Sequence, residues 1–152
     1  RRISAKRVAD GRFIREAIEL AVVEKAAGGL AKPVLEALEC NLQAQEEEVR
    51  KQNRERFLVF DDAFHDALAQ AIDCASAWQM LQHIKANMDR VRYLSLANES
   101  PLSVLLIQHQ AIFQAIKAQD AQAARLAVQH HLKELNLTFA SIATRNSDWF
   151  EP

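Results

Sequence analysis

The sequence predicts an all-α protein, an antiparallel bundle of six or seven helices, on three observations. Apolar residues recur at spacings of three and four along most of the chain, the period of a helix that buries one face. Only three Gly and three Pro stand in 152 residues, so turns are few and elements long. Hydrophobic residues make up 49%, which excludes disorder and supplies a core for one domain of this length.

Residues 1–9 begin basic and polar and read as a lead-in, residues 10–145 as the helical domain, and residues 146–152 as a C-terminal tail. Asp10 is suited to cap a first helix whose stripe is Phe13, Ile14, Ala17, Ile18, Ala21 and Val22. Gly28-Gly29 ends it. A second helix starts near Pro33, a good first-turn residue, and turns Leu35, Leu38, Leu42 and Val49 inward. Its Glu46-Glu47-Glu48 run reads as a solvated outer face. Asn53 caps a third helix that runs to about Ile72. A break over Asp73 to Ser76 leads into a fourth, from Ala77 to Ala97, with Leu81, Ile84, Met88, Val91 and Ser95 on its inner face. Ser100-Pro101 opens a fifth, striped by Leu105, Leu106, His109, Ile112, Phe113 and Ile116. Asp120 caps a sixth that runs to about Thr144, with Ala124, Val128, His131, Leu135, Phe139 and Ile142 inward. Amphipathic helices joined by short connections fold back on one another as a bundle.

Composition narrows the function classes. A formal net charge of −1 offers no basic footprint for nucleic acid. Cys40 and Cys74 lack CxxC spacing and read as small buried hydrophobes in a reducing compartment, which points to the cytoplasm. No apolar run approaches membrane-spanning length, and no signal peptide is visible. The first residue is Arg rather than Met, which leaves open that the chain is a piece of a longer protein.

The chemistry concentrates in Phe60 to Leu68, where Asp61 and His65 stand four apart. On a helix that spacing puts carboxylate and imidazole on one face, about 6 Å apart along the axis. Phe57, Phe64, Leu68 and Ile72 share the face, so both polar groups point inward. Buried polar groups need partners. Either these two satisfy each other, or a metal ion between helices satisfies both. His109 and His131 are each embedded in an apolar stripe of another helix. A single inward His is ordinarily a satisfied core residue; three of them with an inward Asp form a ligand set for Zn, Ni or Mn. His131 continues the Val128 face, whereas His130 falls on the flank with Leu126 and Lys133, so His131 is the candidate. His83 flanks its stripe and reads as surface, and a plain hydrogen bond from His109 to a neighbouring helix stays open.

Taken together, these segments resemble the FCD domain of FadR-type regulators in the GntR family. Asp61-x-x-Phe64-His65 matches its D-x-x-F-H pattern, and His109-x-x-Ile112 leading to Ala115-Ile116 matches its H-x-x-I-x-x-A-I pattern. Asp120-Ala-Gln-Ala-Ala leads to His131 as the family's last segment does. Arg15-Glu-Ala-Ile-Glu19 and Asp89-Arg-Val-Arg92-Tyr-Leu-Ser-Leu resemble its R-x-x-L-E and D-R-x-R-x-L-S segments. Where the family has Gly-Asn-Pro after the third helix, this chain has Asp73-Cys74-Ala75.

The resemblance implies a divalent metal held by Asp61, His65, His109 and His131, its coordination completed by a small carboxylate effector such as a sugar acid or another organic acid. It also implies a homodimer, and DNA binding only through an N-terminal winged helix-turn-helix that is absent from this chain. A second anchor for the effector carboxylate is expected in Arg15, with Arg92 next, because a guanidinium fork suits a carboxylate. The plain alternative for Arg15 is a salt bridge to Glu19 at i+4. Leu94, Leu96 and Leu126 are read either as a dimer surface or as satellite core contacts. The rival function is a metal-dependent helical-bundle hydrolase. Against it, Asp62 and Asp66 fall on other faces and no Glu-x-x-His pair occurs. A metal-free interaction bundle would leave three inward histidines without a reason. The sequence thus reads as a non-enzymatic sensor.

Overall fold

Helix ends are set by local chemistry. The computed structural model describes residues 3–94 and 101–149, apart from the side chains at 5, 87, 88, 90–94 and 136–139. Six α-helices and one 3₁₀ turn occur among these residues, and no sheet. Helix α1 is Ala5–Ala26, α2 Lys32–Arg50, α3 Arg54–Ala71, α4 Ala75–Leu94, α5 Leu102–Lys117 and α6 Ala121–Arg145. Asn53 and Asp120 cap α3 and α6 through side-chain oxygens that accept from Arg56 N and Ala123 N, at 3.2 and 2.9 Å. Pro33 lies in the first turn of α2.

Helix α1 differs from expectation at its start. Ser4, not Asp10, is its N-cap, so the segment read as lead-in supplies the first turn. Ile3 and Val8 join Ile142 in a small core of their own, and Ile3 N donates to Trp149 O at 2.8 Å. Part of the expected tail is a 3₁₀ turn, Ser147–Trp149. The buried face of α1 also differs. Phe13 and Ile14 are exposed, as are Ala17 and Ala21, while Arg15, Glu19, Leu20, Val22, Val23 and Ala26 are buried. This helix has apolar residues on every side, so spacing alone does not select a face. The inner side carries the Arg15–Glu19 ion pair beside Leu20, Val22, Val23 and Ala26.

Three helices end on a residue with positive φ that is not glycine: Gln52 (53°), Asp73 (57°) and Gln119 (56°). At each, the next N–H reaches back to close the turn: Asn53 N to Glu48 O, Cys74 N to Ala69 O, Asp120 N to Ala115 O. These are Schellman ends.

Helix α5 packs on α6 and α2, α2 on α3, α3 on α4, and α1 lies across α6, α4 and α3. Gly11 permits part of that last contact, since a Cβ there would stand 2.8 Å from Ile84 Cγ2. The main core joins Leu38, Phe64, Leu68, Trp78, Leu81, Ile112, Phe113, Ile116 and Val128. Three further expectations are corrected. Glu48 is buried and faces Lys51 and Arg56, at 3.7 and 3.6 Å, rather than standing on a solvated face. Cys40 is exposed and Cys74 half-buried, and both are free. Cys40 sits off the Leu38–Leu42 face that α2 buries. Leu126 is 55% exposed, which excludes the satellite-core reading for it. Leu96 and the side chains of Met88, Val91, Arg92, Leu94 and Phe139 lie outside the described residues.

Candidate metal centre

The fold brings Asp61 and His65 of α3, His109 of α5 and His131 of α6 to one point in the core. Their candidate ligand atoms all lie within 4.8 Å of one another, and all four residues are buried. His130 and His83 are exposed, so the register argument separates the adjacent pair correctly.

Each imidazole is oriented from behind. His109 Nδ1 lies 2.7 Å from Gln45 Oε1, and His131 Nδ1 2.8 Å from Gln108 Oε1. His65 Nδ1 stands 3.0 Å from Glu19 Oε1. An amide oxygen can only accept, so the contacts of His109 and His131 place the ring proton on Nδ1 and leave Nε2 with a lone pair, whereas His65 faces a carboxylate at each ring nitrogen, Glu19 at Nδ1 and Asp61 at Nε2. The three Nε2 atoms make no hydrogen bond. Those of His65 and His109 approach Asp61 Oδ1 at 3.3 and 3.1 Å. The ring centroids of His109 and His131 are 4.7 Å apart, those of His65 and His131 5.5 Å.

Glu19 is held in turn by Arg15, whose Nε donates to Oε2 at 2.9 Å in a pair almost sealed from solvent. Arg15 therefore reaches the cluster through Glu19 and His65, and the salt bridge expected as its plain alternative is present. The sequence named Glu19 only as the partner of Arg15, and it did not single out Gln45 or Gln108. Gln45 extends the Leu38–Leu42 face of α2, and Gln108 sits among Leu105, His109 and Ile112 on α5. A polar residue in a buried register was the available signal.

Charge in the cluster is tightly coupled. Burial works against ionising Asp61, but His109 and His65 outweigh it and hold the carboxyl well below its ordinary value. Glu19 is lowered likewise, with Arg15 and His65 overcoming burial. Burial also opposes charge on His65, yet Glu19 and Asp61 push it up to about 9. His109 is lowered by burial, and His131 falls well below its usual value through burial and the two neighbouring imidazoles. One protonated ring between two carboxylates thus does part of what a cation would do here.

The donor set fits a divalent transition-metal ion. Three imidazole nitrogens and one carboxylate suit Zn, Ni or Mn. Ligands about 2.1 Å from one ion are at most about 4.2 Å apart, so small side-chain shifts would close the set. Oriented Nδ1 protons are what metal-bound histidines ordinarily have behind them. Asp62 is engaged by Lys85, and Asp66 accepts from Gln70 Nε2 at 3.2 Å.

Comparison with known proteins places this geometry. Residues 12–134 match the FCD domain, and the chain belongs to that family. It is 40% identical over 149 residues, 98% of its length, to the HTH-type transcriptional repressor RspR of Escherichia coli K12, spanning 65% of that protein. It is 33% identical over 132 residues, 87% of its length, to an HTH-type transcriptional regulator in an unstable DNA locus of Streptomyces ambofaciens, of which it spans 55%. Among solved structures, E. coli McbR/YncC superposes with a TM-score of 0.83 at 16% identity, over 91% of this chain and 66% of that one. The chain therefore spans less than two thirds of the relatives it matches. The curated relatives are named as transcriptional regulators, which lends no support to the hydrolase reading.

Proposed function

We propose that this chain is the ligand-sensing and dimerisation domain of a bacterial GntR-type regulator. Asp61, His65, His109 and His131 bind one divalent ion, Zn, Ni or Mn, and a small carboxylate completes its coordination. The observation that carries the reading is the arrangement of three buried imidazoles, each anchored at Nδ1 and turned with Nε2 toward the others. When bound, the ion supplies a positive centre with exchangeable positions. The residues around it supply orientation. Glu19, Gln45 and Gln108 fix the rings, and Arg15 neutralises Glu19.

As a second anchor for the effector, Arg15 would use its Nη atoms, since its Nε is committed to Glu19. Arg92 remains a second candidate on α4. Effector binding favours one helix arrangement, and the dimer passes that preference to winged-helix domains on the N-terminal side of α1. Among the described residues no helix is long and apolar enough to cross a membrane, in keeping with a cytoplasmic regulator.

Elemental analysis of the purified domain tests the site. Near one equivalent of Zn, Ni or Mn, lost in a His65→Ala/His131→Ala variant, supports it. No metal in either protein after reconstitution overturns it. Light scattering tests the dimer separately.

A further inference from the structure

Behind His109 the hydrogen bonds run on, from α5 through α2 to α3. Gln45 Oε1 lies 2.7 Å from His109 Nδ1, and Gln45 Nε2 donates to Asn41 Oδ1 at 2.8 Å, one turn earlier on α2. Asn41 Nδ2 in turn donates to the backbone carbonyl of Phe60 at 3.0 Å. Phe60 immediately precedes Asp61, so both ends of this relay lie at the cluster. Gln45 is fully buried and Asn41 half-buried.

The direction of the relay is fixed from its far end. A side-chain amide can turn over, exchanging its oxygen for its nitrogen, and a neutral imidazole can carry its proton on either ring nitrogen. A backbone carbonyl has no such choice, because it only accepts. Asn41 must therefore turn its nitrogen to Phe60 and its oxygen to Gln45. Gln45 must then turn its nitrogen to Asn41 and its oxygen to His109, which puts the ring proton on Nδ1 and a lone pair on Nε2.

His109 meets the opposite demand on its other side. Its Nε2 stands 3.1 Å from Asp61 Oδ1, and a carboxylate favours a proton on the nitrogen that faces it. With Gln45 turned over, that proton would sit where an ion must bind. The relay and Asp61 thus compete for one proton.

Resting on the metal-sensor reading, we infer that Asn41 is a positioning residue for the centre: through Gln45 it holds His109 in the tautomer that offers Nε2 to a metal, against the pull of Asp61. Without Asn41, Gln45 is free to turn over. A metal must then reset both the amide and the tautomer, which weakens its binding about tenfold.

The test compares wild type with Asn41→Leu, Asn41→Ala and Asn41→Asp. Leu and Ala remove the hydrogen bonds, whereas Asp keeps an oxygen for Gln45 and needs no orienting, since both its oxygens accept. The His109 ring nitrogens are read by NMR in the metal-free domain, and Zn affinity by competition with a chromophoric chelator. Wild type and Asn41→Asp should show the proton on Nδ1. In Asn41→Leu and Asn41→Ala it should move toward Nε2, with Zn binding about tenfold weaker in these two alone. A proton on Nε2 in wild type overturns the inference without any variant. So does a proton that stays on Nδ1 in the folded Leu or Ala variant, or an equal loss of affinity in all three. A wild-type domain that takes up no Zn overturns the sensor reading, while the tautomer, read without metal, decides the relay by itself, so the two failures are told apart.

Discussion

A histidine that binds a metal must present a lone pair, and the proton on its other nitrogen must then be accepted by something. Gln45 and Gln108 are those acceptors for His109 and His131. Replacing Gln108 by Leu should lower metal affinity roughly 10- to 100-fold in competition with a chromophoric chelator, while Gln108→Glu should retain it. Protonation gives a second prediction. Without metal, the His65 value stands at about 9, above its ordinary 6.5. A raised value means the folded state holds the proton more tightly, so the contribution is fully present below pH 6.5 and is lost as pH rises through 9. His109 and His131, both lowered, act the other way below 6.5. The urea midpoint of chelator-treated domain should therefore fall from pH 7 to 9, and His65→Gln should flatten that fall. At this scale the sequence revealed the inward histidines and separated His131 from His130, because their neighbours fix the helical phase. It named Glu19 only as the partner of Arg15 and did not reveal Gln45 or Gln108, since a polar residue in an apolar register does not by itself say which group it faces.

Helices α3, α5 and α6 were legible because each concentrates its apolar residues on one face. Helix α1 was not, because it spreads them around and hides an ion pair inside. The two faces are separable by mutation. Val23→Ala, which opens space in the core, should cost about 2 kcal/mol in chemical denaturation, whereas Phe13→Ser, 77% exposed, should change stability by less than about 0.5 kcal/mol. An equal loss for both would show that Phe13 is covered in solution. The end of α3 offers a gain instead. Asp73 adopts φ 57° where the FCD pattern has glycine. A left-handed conformation costs a residue with a Cβ roughly 1–2 kcal/mol, partly offset by the entropy glycine loses on folding. Asp73→Gly should therefore stabilise the domain by roughly 0.5–1 kcal/mol, read as a higher denaturation midpoint at unchanged slope.

At the scale of the whole molecule, the centre links most of the bundle. Ligand candidates come from α3, α5 and α6, and the residues behind them from α1, α2 and α5. An ion bound there adds to global stability by mass action, about 2.7 kcal/mol at a hundredfold excess over its Kd. For a domain of this size that is roughly 5–10 °C in Tm, so chelation should lower the melting temperature by that amount and re-addition should restore it. The bundle itself was legible from periodicity and the shortage of Gly and Pro. Which helices touch was not, because α1 packs on α6, α4 and α3 rather than on its neighbour α2. Burial of the cluster also sets a clock. His109 is fully enclosed and His131 nearly so, and an ion held between them by four protein ligands would exchange far more slowly than the carboxylate that completes its coordination. The ion would be a component acquired once, near folding, and the carboxylate the quantity read from moment to moment.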